Sequence, residues 1–112
     1  RTTMQQLLEL DGHEVIAAID GLDGLNKIVN HRPDFALIDL SMPRMSGFDV
    51  ARQLADRHAE IFDSTMLIAL TGHGQPGDRR LTSEARFADH FVKPINVADL
   101  GQRMMQLKTA DR

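Results

Sequence analysis

Apolar residues in this chain alternate between two spacings, one helical and one continuous. Met4, Leu7, Leu8 and Leu10 recur at helical intervals, and Asp11-Gly12 is placed to close that helix. Val15–Ile19 is a short unbroken apolar run and predicts a strand. Asp20-Gly21 predicts a turn, after which Leu22, Leu25, Ile28 and Val29 mark one face of a second helix. His31-Arg32-Pro33 ends it, because proline cannot continue the hydrogen-bond ladder. Phe35–Asp39 predicts the next strand, and Phe48–His58 a helix with Val50, Ala51 and Leu54 inward and Ser46 as a cap. Met66–Leu70 is again continuous and ends at Thr71; Gly72, Gly74, Pro76 and Gly77 then predict a loop. A weaker helical pattern covers 78–88, and Phe91-Val92 predicts a short strand running into Lys93-Pro94. Asn96 is placed to cap a last helix, with Asp99 three residues on in the capping-box position.

The predicted order is α, β, α, β, α, β, α, β, α. Strands that are apolar throughout and separated by helices point to an α/β fold with a parallel sheet covered on both faces. In such sheets the ligand site lies outside the carboxyl ends of the strands. Three predicted strands run into Asp39, Thr71 and Lys93, so the topology itself brings a carboxylate, a hydroxyl and an ammonium to one rim.

Composition narrows what that rim can serve. A chain of 112 residues is one domain's worth, with 42% hydrophobic and 26% charged residues, so an ordered core is expected. The formal charge is −3, and Arg79-Arg80 is the one adjacent basic pair, which argues against a nucleic-acid surface. Cysteine is absent, excluding disulfides and thiolate metal sites and fitting a cytoplasmic location. No apolar run approaches the roughly 18 residues that span a bilayer, so no membrane partner is expected. The chain opens on Arg1 rather than Met, as expected of a piece of a longer protein.

An aspartate beside a cation and a hydroxyl can attack phosphorus and form an acyl phosphate. Both reactants are negative, so a fixed ammonium such as Lys93 lowers the barrier, and the Thr71 hydroxyl can donate to a phosphoryl oxygen only when one is present. Singly these residues say little: an Asp after a strand is as often a cap or turn former. Their joint placement carries the reading. The five histidines form no ligand-spaced pair on a helix face; His13, His31 and His58 fall near turns or helix ends, where solvation is expected. Met42 and Met45 are expected to pack under the loop around Pro43.

These motifs resemble the receiver domain of two-component response regulators. "LIDLSMPRMSGFDV" is similar to that family's phosphoacceptor strand and loop, with Pro43 and Gly47 four and eight residues after Asp39. "LIALTGHG" resembles its fourth strand and "HFVKPINVADL" its fifth, and the likeness runs from Met4 to Leu107. The resemblance implies a flavodoxin-like doubly wound parallel sheet of order 2-1-3-4-5. It implies Asp39 as phosphoacceptor from a sensor histidine kinase or phosphotransfer protein, with Thr71 and Lys93 contacting the phosphoryl group. It also implies Mg2+ held by Asp39 and the Ser41 backbone carbonyl, room for the phosphate at Gly72, water gating by Ser41 and His73, and a cis Lys93-Pro94 bond. The 78–108 surface is where such domains meet an output domain or effector.

Two departures qualify the likeness. The aromatic switch position, three residues before the lysine and usually Tyr or Phe in the family, is His90; Phe91 beside it is expected to be a core strand residue. The family's first strand, with the acidic pair that completes the magnesium site, has no counterpart before the first helix, and Asp11 and Glu14 are poor substitutes. Residues 1–112 are therefore expected to form a single receiver domain, N-terminally incomplete, with Mg2+ weakly held and open sheet edges inviting a strand-exchanged oligomer. The alternative is a degenerate receiver acting as a phosphorylation-independent interaction module. A phosphatase of the haloacid-dehalogenase type wants a second aspartate two residues after the nucleophile, where Ser41 stands. The Gly-rich segment "ALTGHGQPGDRR" and the ending "DHFVKPINVADL" look most like receivers of hybrid histidine kinases. On this reading the domain is not an enzyme on a separate substrate but a self-catalysed phosphoacceptor.

Overall fold

The structure, a computed structural model, describes residues 2–10, 12–16, 18, 20–40, 45–72 and 84–110. By internal contacts the chain divides into two units, Ala18–Pro94 and a second made of Arg1–Ala17 with Ile95–Arg112.

The larger unit is built on three parallel strands, β1 (Phe35–Asp39), β2 (Met66–Thr71) and β3 (Phe87–Val92), in the spatial order β1-β2-β3. Middle strand β2 is buried from Leu67 to Thr71, which is why its sequence is continuously apolar rather than alternating. Two helices belong to this unit, α2 (Gly21–His31) and α3 (Gly47–Arg57), and they pack on one another. Register-paired residues of a parallel sheet share a face. Ala36 with Leu67 and Ile38 with Ala69 accordingly lie in one cluster with Phe87, Ile28 of α2, and Val50, Ala51 and Leu54 of α3. Phe48 meets Phe87 edge to face at 6.3 Å and 86°, an arrangement worth about 1 kcal/mol beyond its buried area.

Helix ends follow local chemistry. The Asp20 side chain accepts from the Asp23 amide at 2.9 Å, so Asp20-Gly21 is a helix start rather than a free turn. Arg32 closes α2 in the left-handed region at φ 47°, donating its amide to Ile28 O, and Pro33 follows. Ser46 and Asp49 form a reciprocal capping box at α3, each contact 3.2 Å. An unpredicted 3-10 turn, Ala59–Asp63, buries Ile61 and leads to Thr65, whose hydroxyl donates to the Pro33 carbonyl and ties the start of β2 to the end of α2.

In the smaller unit α1 (Thr2–Leu10) packs with α4 (Val97–Ala110). Asn96 Oδ1 accepts from the Asp99 amide at 3.1 Å, as its position predicts. Leu8, Leu100 and Met104 are buried, while Leu7 and Leu10 of the predicted apolar face are exposed.

Three expectations are corrected. Val15, Ile16 and Ala18 are not in a strand, and Ile16 is exposed; a strand needs a neighbour's backbone groups, and none is paired there among the described residues. Residues 78–83 of the predicted weak helix lie outside the described residues. After helical Glu84 the chain turns and Arg86 takes φ 70°, so 87–88 belong to a six-residue strand instead. The third concerns β3, where a register shift opposite Leu67/Ile68 resets the alternation: Phe87 and His90 are buried, and Phe91 is only half-buried.

Candidate functional site

Parallel pairing aligns the carboxyl ends of the three strands. Asp39 stands opposite Leu70, and Thr71 opposite Val92, the residue before Lys93. Two further backbone bonds extend the alignment past the strands: Leu40 N–H to Leu70 O at 2.9 Å and Lys93 N–H to Thr71 O at 2.7 Å. Adjacent strands lie roughly 4.8 Å apart, so Asp39 and Lys93 start about 10 Å apart across β2. The lysine side chain covers that gap, and its Nζ donates to Asp39 Oδ2 across the strand that ends in Thr71. Their side chains are 41% and 32% exposed, so the pair is open to a ligand from solvent, whereas Thr71 is buried. Gly72 follows Thr71 at this rim. The Lys93-Pro94 peptide is cis, as the resemblance implies.

The three residues singled out for chemistry are thus brought to one rim, with the ion pair between the outer two in direct contact. His90 lies on β3 opposite Ala69, buried, with its amide bonded to the Asp89 carboxylate at 2.7 Å. Ser41 and His73 lie outside the described residues. Among the described residues no group of three or more His, Asp or Glu side chains could hold a metal ion. Magnesium prefers six oxygen ligands, and Asp39 alone does not meet that demand.

Two close approaches escaped the sequence reading. At Gly47 a Cβ would fall 2.8 Å from Leu40 Cδ2, 2.9 Å from Ile38 Cγ2 and 3.0 Å from Asp39 O, so the first residue of α3 sits against the end of β1 because it is glycine. At Gly21 a Cβ would fall 2.2 Å from Met45 O. The available signal was a glycine at the first position of each helix, where it adds nothing to helix propensity.

No helix among the described residues is long and apolar enough to cross a membrane. Residues 1–105 match the family described as response regulator receiver domain. Response regulator MprA of a Mycobacterium species (strain KMS) is 32% identical over 107 residues, covering 96% of this chain and 45% of the relative, so the chain spans just under half of that protein. Among solved structures, a CheY-like receiver domain protein from Methanospirillum hungatei superposes with a TM-score of 0.84 at 24% identity, over 98% of this chain and 85% of the other. The receiver domain of a sensor histidine kinase from Pseudomonas aeruginosa, solved with magnesium coordinated in its active-site cleft, gives 0.81 at 25% identity, over 94% and 84%. With its flavodoxin-like parallel sheet and a family match over nearly its whole length, this chain belongs to the response regulator receiver domains of two-component signalling.

Proposed function

We propose that the chain works as a phosphoacceptor switch through Asp39. A carboxylate oxygen attacks the phosphorus of a phosphohistidine on a sensor kinase or phosphotransfer protein. The P–N bond breaks, the imidazole leaves with the electron pair and takes up a proton, and Asp39 becomes an acyl phosphate. Lys93 offsets the repulsion between carboxylate and phosphoryl oxygens, and the Thr71 hydroxyl turns to the new phosphate as the switch contact, with His90 behind it. The single observation that carries the reading is the Lys93–Asp39 contact over the end of β2.

Magnesium enters through the Pseudomonas receiver, whose cleft holds it. From this chain Asp39 and the Ser41 carbonyl would be ligands, and 1–112 reads as one receiver domain. Gly72, His73 and Pro94 shape the phosphate's surroundings, and the 78–108 surface carries the signal to an output domain or effector. The domain is a switch in the cytoplasm, turning over no separate substrate and contacting no nucleic acid itself.

Incubating the full protein that contains this chain with acetyl phosphate and magnesium should add one phosphoryl mass at Asp39, removable by hydroxylamine, and Asp39→Asn should abolish it. Absence of the adduct would sink the proposal and favour a phosphorylation-independent module.

A further inference from the structure

Helix α3 and residues 84–86, which lead into β3, line a groove of about 540 Å³, a size that suits a bound ligand. Its floor is apolar, made by Phe48, Ala51 and Ala55 of α3 and by Ala85. Phe48, Ala55 and Ala85 are only half-buried, so this apolar surface is left partly open to solvent. From Phe48 to Ala55 the floor runs about 10 Å along α3, or two turns. Ala51 and Ala55 lie four residues apart on one face. A row of that spacing with small side chains accepts the matching row of a second helix at axial separations of about 8–10 Å.

The rim is charged, and its two signs are not equally satisfied. Asp49 Oδ2 accepts from the Ser46 amide at 3.2 Å in the capping box, and Glu84 is likewise engaged. The arginines keep their donors. Arg52, with its side chain 72% exposed, reaches Asp49 only at 3.7 Å, beyond hydrogen-bond length. The Arg86 guanidinium lies over the Phe62 ring, 4.4 Å from its centroid, a stacking that uses the face of the cation and not its in-plane N–H groups. Among the described residues neither guanidinium makes a hydrogen bond. A guanidinium fork matches a carboxylate, so the groove calls for an apolar ridge bordered by acids.

We propose that this groove docks an amphipathic helix of a partner protein. The helix lays its apolar row on Phe48, Ala51, Ala55 and Ala85 and sets flanking glutamates or aspartates against Arg52 and Arg86. None of these residues is Asp39, Thr71 or Lys93, so the docking stands whether or not Asp39 takes a phosphoryl group.

The probes are two fluorescein-labelled helical peptides of about four turns. They share one leucine row at alternating third and fourth positions and differ only in whether glutamate or lysine flanks it. Fluorescence anisotropy against the full protein that contains this chain should show the glutamate peptide binding at least about tenfold more tightly than the lysine peptide. Arg52→Glu, at a side chain too exposed to endanger the fold, should weaken the glutamate peptide by about tenfold. Arg57→Glu makes the same charge change in the last turn of α3, outside the groove, and should leave affinity within about twofold of wild type. Ala55→Glu, which sets a carboxylate on the floor, should weaken the glutamate peptide as Arg52→Glu does. That pattern supports the proposal. No binding of the glutamate peptide at millimolar concentration, equal affinity for the two peptides, or equal weakening by Arg52→Glu and Arg57→Glu would overturn it.

Discussion

Replacing Lys93 with glutamine separates the two things its ammonium can do. As a structural contact with Asp39 it is minor: the side chains are 41% and 32% exposed, and ion pairs of that kind contribute about 0.2–1 kcal/mol. As the counter-charge to an incoming phosphoryl group it matters more. Unit charges 4 Å apart interact by about 1 kcal/mol in water and about 4 kcal/mol at an effective dielectric constant of 20. A site one-third open to solvent falls between, near 2 kcal/mol, which is roughly thirtyfold in rate. Lys93→Gln should therefore unfold in urea within about 1 kcal/mol of wild type yet accept phosphate from acetyl phosphate roughly thirty times more slowly, followed by intact mass in the full protein. Raising the salt should narrow that difference, because the charges are partly screened. A rate within about threefold of wild type, or a stability loss above about 2 kcal/mol, would show that the ammonium serves the fold and refute the electrostatic argument.

Three stability predictions test the frame under the site, all by urea unfolding. Leu54→Ala removes a fully buried side chain from the α3 face of the core and should cost roughly 3 kcal/mol; a loss under about 1 would mean that the core there is loosely packed. Ser46→Ala breaks the α3 capping box and should cost about 1 kcal/mol, whereas no measurable change would deny the reciprocal contacts. Thr65→Val keeps the shape but leaves the Pro33 carbonyl without the hydroxyl, for about 1–2 kcal/mol; an unchanged midpoint would mean that the tie is not formed in solution.

What could be read along the chain was whatever depends on neighbours in sequence. Alternation of helical and continuous apolar spacing announced α2, β1, α3 and β2, since burial against a sheet demands those periods whatever the partner is. Ser46 and Asn96 were readable as caps because a cap acts over three residues. Asp39, Thr71 and Lys93 were readable as one site because parallel topology forces strand ends to a common edge.

Tertiary structure decided the rest, and in each instance through a distant partner. Val15–Ile19 has the composition of a strand, but a ladder needs a neighbour's amides and carbonyls, and composition cannot supply one. The start of β3 depended on Arg86 turning left-handed and on a shift opposite Leu67/Ile68, which together put His90 rather than Phe91 on the buried face. The approach of Gly21 to Met45, 24 positions later in the chain, leaves no local trace, because a close approach is a property of two segments and the sequence shows only one at a time.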